Sequence, residues 1–159
     1  MVATSWLALG PIGTGALGLM LLGTDASTVF PAAGLPWIGE VAFGIGAIGG
    51  SMLWGYGIWW FCIALLTTGR AIQNGMPFNL GWWGFTFPIG VYSIATLVLA
   101  RITHIALFSL VGGMLIVILA CLWLLVSGRT LLGAWQGTLF VSPCVIPGAI
   151  PEDRVIKAL

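Results

Sequence analysis

Charged residues are scarce in this chain, whose 159 residues include five lysines and arginines, four aspartates and glutamates and one histidine. Charged side chains make up 6% of the sequence, whereas soluble domains carry roughly a quarter. This number of polar groups is too small to cover the surface of a soluble globular protein. The composition therefore argues against a soluble protein. The net charge of +1 provides no basic surface for nucleic acid.

Groupings of catalytic or metal-binding side chains are also missing from the sequence. It has no His/Asp/Ser set, no Cys-x-x-Cys and no glycine-rich phosphate loop after a strand. Its cysteines, Cys62, Cys121 and Cys144, are isolated, and we interpret them as small core residues rather than disulfide or metal ligands. The sequence therefore predicts neither an enzyme nor a bound cofactor.

Apolar residues, in contrast, make up 60% of the chain, and its mean hydropathy is +1.13. Since one crossing needs about 20 apolar residues, the sequence predicts four transmembrane helices, at about residues 4–22, 38–68, 80–100 and 105–126. We expect residues 23–36, with Asp25 among them, to form a connection. The second segment is longer than a crossing needs, which predicts a tilt, a break or an interfacial first turn near Glu40.

The basic residues predict the orientation of these helices. Arg101 falls alone on one side, and four basic residues fall on the other: Arg70, Arg129, Arg154 and Lys157. By the positive-inside rule both termini are cytoplasmic, in a plasma or inner membrane. The last two helices then form a hairpin around a short outer turn with His104, a solvated residue, and the first two form the other. The fold class is thus an all-α integral membrane protein with a transmembrane region at 1–141 and a cytoplasmic tail at 142–159.

A Trp-x4-Pro-Ile-Gly motif occurs twice, from Trp6 to Gly13 and again from Trp83 to Gly90. Each copy lies in the first helix of a predicted hairpin, so the repeating unit is two helices long. A proline inside a spanning helix frees a backbone carbonyl and opens a kink. Such freed groups are tolerated at membrane depth only where protein or a water-filled cavity covers them. We therefore expect both prolines to line a path for a solute.

Candidate pore-lining residues surround the two prolines. They are Pro11, Gly13, Thr14, Thr86, Pro88, Gly90 and Ser93. The glycines could serve either to widen the pore or to let helices pack closely, and the sequence leaves both roles possible. The hydroxyls could donate to an anion or bond to carbonyls of their own helix. Because no predicted span has an interior Lys, Arg or Asp, the pattern favours a passive or weakly coupled passage for weakly hydrated anions.

The stretch from Phe78 to Thr96 reads Phe-Asn-Leu-Gly-Trp-Trp-Gly-Phe-Thr-Phe-Pro-Ile-Gly-Val-Tyr-Ser-Ile-Ala-Thr. It resembles the ninth-helix signature of the tellurite-resistance/dicarboxylate transporter family, which includes malate permeases, sulfite efflux pumps and plant slow anion channels. The segment from Trp6 to Gly23 resembles the seventh helix. The resemblance covers about residues 5–141. It implies the last four of ten helices, in a fold of five hairpins whose first helices form the inner wall of a central pore.

The same resemblance implies a gate and a set of partners. In the family a phenylalanine directly before the ninth-helix proline projects into the pore, and the matching residue here is Phe87. The expected function is passage of C4-dicarboxylates such as malate, sulfite, nitrate or chloride through the gated pore. The expected partners are these anions, the lipid bilayer, the remaining helices of a longer protein and, by resemblance, two further copies in a homotrimer.

A non-conducting structural or assembly subunit is the alternative function. Four helices fill their own centre with side chains, so we expect a fragment of a longer polypeptide or a subunit that assembles around a shared axis. We favour the fragment because Met1 precedes a helix already in the repeat pattern. Six further apolar helices encoded upstream of Met1 would distinguish it from the subunit.

Overall fold

The computed structural model of the protein describes residues 2–75 and 80–136, and within these ranges it is helical without any strand. Its elements are α1 (Val2–Leu7), α2 (Leu9–Ala32), α3 (Pro36–Gln73), a 3₁₀ segment (Leu80–Phe85), α4 (Thr86–Thr103) and α5 (Ala106–Trp135). Four spans are long and apolar enough to cross a membrane: Ser5–Ala32, Pro36–Gln73, Leu80–Thr103 and Ala106–Trp135. The predicted all-α membrane architecture with four crossing helices is confirmed.

The first spanning helix is longer than the sequence indicated. We expected a connection at residues 23–36, but α2 continues to Ala32, and Asp25 lies within it. The polar residues of this stretch fit a helix because the hydroxyls of Thr24, Ser27 and Thr28 donate to carbonyls one turn earlier. The actual connection is residues 33–35, where a φ of +80° at Gly34 reverses the chain.

The second spanning helix, α3, is continuous over 38 residues. At a rise of 1.5 Å per residue it is about 57 Å long, whereas the hydrocarbon core is about 30 Å thick. Of the three predicted alternatives a break is therefore excluded, and α3 must tilt or extend beyond the hydrocarbon, as an interfacial first turn near Glu40 would. Helix α5 likewise extends past the expected end near residue 126, and the predicted tail at 142–159 lies outside the described residues.

Within the first hairpin, α2 and α3 approach each other through small residues. The buried residues of α3 are Gly39, Gly46, Gly50, Gly57 and Ala64. A Cβ atom on Gly46 would lie 2.5 Å from the Leu19 carbonyl oxygen, which is backbone that cannot move aside. Close packing of this kind holds helices together in a bilayer, where apolar side chains gain little by leaving lipid.

Helix α4 lies in the middle of the molecule, packed against α2 on one side and α5 on the other, with fewer contacts to α3. It is the most enclosed of the four spans, and α3 and α5 are the least enclosed. The first helices of the two hairpins, α2 and α4, therefore run side by side, and the second helices flank them. The family resemblance implies this arrangement for an inner wall.

The core position expected for the cysteines is wrong for the two in the described ranges. Cys62 and Cys121 are free and exposed, since they point outward from α3 and α5, the least enclosed helices. A thiol is apolar enough to face lipid, so neither needs a core position. Cys144 lies outside the described residues. No cluster of His, Cys, Asp or Glu that could hold a metal occurs in the described part of the chain.

Candidate functional site

The two motif prolines occupy the same place in two equivalent helices. Pro11 is the third residue of α2, which follows the short helix α1, and Pro88 is the third residue of α4, which follows the 3₁₀ segment. The first-turn N–H groups of a helix have no intrahelical partner, so proline is tolerated there. Each proline therefore lies just after an interruption of the helix within its span, Ser5–Ala32 or Leu80–Thr103.

The motif tryptophans show the same repetition in three dimensions. The Trp6 indole N–H donates to Thr68 Oγ1 of α3 at 2.8 Å, and the Trp83 indole N–H donates to Thr130 Oγ1 of α5 at 3.2 Å. Each tryptophan thus joins the start of its hairpin to the far end of the second helix. Both threonines could have been found from the sequence, because each is next to a Gly-Arg dipeptide. Thr68 precedes the dipeptide that ends at Arg70, and Thr130 follows the one that ends at Arg129.

Helices α2 and α4 leave one face uncovered. Four residues of α4 are exposed, and three of them are spaced by seven: Phe87, Ile94 and Arg101. On α2, Thr14, Leu21 and Thr28 are exposed at the same spacing. Seven residues are close to two helical turns, so each set forms one stripe along its helix.

The two stripes lie next to each other at two levels. Near one end the Phe87 ring approaches Gly10, whose carbonyl accepts the Thr14 hydroxyl. Near the other end Leu21 and Arg101 line the same cavity. We call this surface the α2–α4 face, defined by the six residues of the two stripes.

Phe87 is 62% exposed on this face, more than Ile94 at 51% or Leu21 at 43%. One edge of its ring lies against Gly10 of α2, and on the α5 side it lines a groove with Leu119 and Trp123. The ring therefore lies against Gly10 along one edge, borders an open groove on the α5 side and is exposed at the front. Tyr92, about 140° round the helix from Phe87, is buried against α3.

Four of the other predicted pore residues lie in helix contacts. Pro88 and Ser93 are almost completely buried. A Cβ atom on Gly13 would lie 3.3 Å from Val91 Cγ1, and one on Gly90 would lie 3.5 Å from Leu119 Cδ2. Of the seven predicted residues, Pro11 and Thr14 are exposed, and Thr86 is half-buried. The structure thus places the glycines between helices, in agreement with the packing alternative.

The hydroxyl groups near the face have their protons engaged. Thr14 donates to Gly10 O at 2.9 Å, Thr86 donates to Trp83 O at 2.8 Å, and Ser93 donates to Ile89 O at 2.6 Å. In this arrangement they offer lone pairs and no donor to an anion. Among the stripe residues, Arg101 is the one that carries a positive charge.

A cavity of about 270 Å³ lies at the Arg101 end of the face. It is lined by Leu21, Thr24, Phe43, Val98, Arg101, Ile102 and His104. His104 ends α4 in the left-handed conformation, with φ +57°, and so turns the chain at the edge of the cavity. Two side chains that can carry positive charge therefore meet at this end, while Asp25 lies one turn beyond Leu21 on α2.

Behind the face a polar network ties α4 to α3. The Tyr92 hydroxyl donates to Trp54 O at 2.6 Å, and the Trp54 indole N–H donates to Thr96 Oγ1 at 2.9 Å. Gly57 makes room for it, since a Cβ atom there would lie 2.5 Å from Tyr92 Cε2. Sequence reasoning did not single out this network, because its members are far apart in the chain. It fixes the rotation of α4 and thereby the direction in which Phe87 points.

The family model described as SLAC1, voltage-dependent anion channel, matches residues 1–131 of the chain. A sulfite efflux pump, SSU1, of Trichophyton rubrum is 35% identical over 143 residues, which are 87% of this chain and 37% of that protein. The sulfite efflux pump SSU1 of Arthroderma otae matches with the same identity and coverage.

An uncharacterized transporter of Methanocaldococcus jannaschii is 28% identical over 141 residues, which are 88% of this chain and 38% of that protein. The chain thus spans less than two fifths of the length of these relatives. No solved structure matches it significantly.

Proposed function

Because the chain belongs to the SLAC1 family of voltage-dependent anion channels, we propose that it forms part of the wall of a pore for small anions. The observation that carries the proposal is the α2–α4 face, which α3 and α5 leave uncovered. The Thr14 and Thr28 hydroxyls donate to carbonyls of α2, but the charged Arg101 on the same face would be costly to place against lipid. In a pore the same face lies against water and the passing anion.

Phe87 is the proposed gate of this pore. Its ring stands 62% exposed on the face, directly before the proline that begins α4. An apolar ring at a narrow point excludes water, so an anion passing it loses part of its hydration shell. That loss is the main barrier, since the nearby hydroxyls donate to backbone carbonyls and cannot replace the lost water.

Among the candidate anions, sulfite is the one we propose to test first. Two relatives that match 87% of the chain are named sulfite efflux pumps. Hydrogensulfite carries one charge, so its desolvation at an apolar ring costs less than that of a C4-dicarboxylate with two. Nitrate and chloride also carry one charge, so the argument from charge separates them, like hydrogensulfite, from malate, which carries two.

In this proposal the Arg101 end of the face opens to the outside and both termini lie in the cytoplasm. The count of basic residues supports this orientation. The remaining helices of a longer protein would close the ring, and three copies would associate as the family resemblance implies. Both of these partners stay predictions.

The test is anion flux in proteoliposomes that hold the protein containing this chain, with any preceding helices its gene encodes. We expect labelled sulfite to enter faster than malate, and both faster than in empty liposomes. Uptake equal to that of empty liposomes for sulfite, nitrate, chloride and malate would contradict the proposal and favour the non-conducting subunit.

A further inference from the structure

We propose that Gly10 of α2 positions the gate: its lack of a side chain lets the Phe87 ring lie back against the pore wall. This inference rests on the proposed function, because it assigns a role to Gly10 through the proposed gate. The contact itself is a feature of the structure. A Cβ atom added to Gly10 would lie 3.2 Å from Phe87 Cε1 and 3.5 Å from Phe87 Cδ1.

The internal repeat places Gly10 and Phe87 at equivalent positions. Gly10 directly precedes Pro11 in the first motif, as Phe87 directly precedes Pro88 in the second. Since α2 and α4 run side by side and begin in the same way, equivalent residues meet at the same level. A phenylalanine in both copies would put two rings in one place. One copy therefore carries the ring, and the other carries the residue that makes room for it.

The surroundings of the ring leave open space on two of its sides. Gly10 lies on the α2 side and the helix backbone of α4 lies behind the ring. The groove shared with Leu119 and Trp123 of α5 and the space in front of the face are open. A Cβ atom at position 10 would therefore displace the ring by a few tenths of an ångström away from α2, and we expect this displacement to carry it toward the space in front of the α2–α4 face. In a pore this movement narrows the path, so a larger residue at position 10 lowers flux.

The effect of Gly10 should depend on the Phe87 ring, which a double-variant comparison of flux can measure. We expect Gly10→Ala to lower anion flux about two- to tenfold, the range given by the usual cost of an off-rotamer ring. In a Phe87→Ala background the same change at Gly10 should leave flux unaltered, because no ring remains to be displaced. A reduction of equal size in both backgrounds would overturn the inference, since it would show that Gly10 acts through helix packing alone.

Two other glycines of α2 provide matched controls. A Cβ atom on Gly13 would lie 3.3 Å from Val91 Cγ1, nearly the distance found at Gly10, but it would not touch the ring. Gly13→Ala should therefore have the same effect with and without Phe87. A Cβ atom on Gly18 would meet nothing within 4 Å, so Gly18→Ala should change flux in neither background.

A fluorine label on the ring tests the contact without any transport. With 4-fluorophenylalanine at position 87, we expect Gly10→Ala to shift the ¹⁹F resonance and Gly18→Ala to leave it in place. An unshifted resonance in Gly10→Ala would overturn the inference. If Phe87→Ala leaves flux unchanged, the gate proposal fails on its own, and the fluorine shift still decides whether Gly10 positions the ring.

Protein yield gives a further check if Gly10→Ala folds poorly. Recovery of yield in the double variant Gly10→Ala, Phe87→Ala would support the inference, because the clash requires the ring. Equal loss of yield with and without the ring would contradict it.

Discussion

Phe85 and Phe87 lie two residues apart and have opposite surroundings. Phe85 is 3% exposed, and its ring makes edge-to-face contacts with Trp6 and Trp82 at centroid distances of 5.5 and 5.7 Å. Phe87 is 62% exposed. Two residues span about 200° of a helix, so the same residue type serves the core at one position and the uncovered face at the other.

We expect Phe87→Ala to raise anion flux with little change in the ratio of sulfite to nitrate uptake, because hydrogensulfite and nitrate carry the same charge. Removing the ring lowers the dehydration barrier, and each 1.4 kcal/mol removed raises the flux about tenfold. The measurement is sulfite and nitrate uptake in proteoliposomes at matched protein content.

The control is Phe85→Ala, which removes a buried ring of the same size. It should lower the yield and the thermal midpoint of unfolding, since losing a buried phenylalanine leaves a cavity, and it should not raise the flux per folded molecule. Equal flux for the wild type and Phe87→Ala would remove Phe87 from the mechanism.

At the scale of elements, the glycines of α3 decide how close the two helices of the first hairpin come. Gly46 lies against the backbone of α2, where an added Cβ atom would be 2.9 Å from Gly23 Cα. Gly44, two residues earlier on the same helix, has nothing within 4 Å of an added Cβ atom. The first hairpin therefore depends on one side of α3, and the opposite side tolerates larger residues.

Gly46→Ala should lower the thermal midpoint of the protein in detergent, because neither backbone can move aside and the helices must separate. Gly44→Ala should leave the midpoint unchanged or raise it slightly, since alanine is the better helix former. Equal midpoints for the two variants would contradict the close-packing account of the hairpin.

At the scale of the whole molecule, the described helices present two kinds of surface. The exposed residues of α5 are mostly apolar, as suits lipid, whereas the α2–α4 face mixes apolar residues with threonines and Arg101. The two hairpins bring their tryptophan and threonine pairs to one end of the molecule and Arg101 to the other. Arg70 and Arg129 lie at the tryptophan end, so the positive-inside rule predicts that this end is cytoplasmic and that the Arg101 end is outside.

The orientation can be tested by labelling introduced cysteines after Cys62, Cys121 and Cys144 are replaced by alanine. In intact cells an impermeant thiol reagent should label Ile105→Cys, which lies in the turn beyond α4. Asn74→Cys, at the end of α3, should react only after the membrane is permeabilised. The reverse pattern of labelling would show that the chain is inverted.

Several features of the protein followed from the sequence by itself. The scarcity of charge and the length of the apolar runs determined a membrane protein with four crossing helices, because both depend only on composition along the chain. The repeated Trp-x4-Pro-Ile-Gly motif determined the two-hairpin organisation, and its resemblance to a transporter family agrees with the family match over residues 1–131.

Only the tertiary structure decided which side of each helix is covered. Gly13 and Thr14 are neighbours in the motif, yet one packs against Val91 and the other is exposed, because the rotation of α2 is set by its contacts with α3 and α4. The pairing of Gly10 with Phe87 depends in the same way on two helices that are far apart in the chain. Hydropathy and spacing describe one helix at a time, whereas the face toward a pore is defined by the neighbours that cover the other sides.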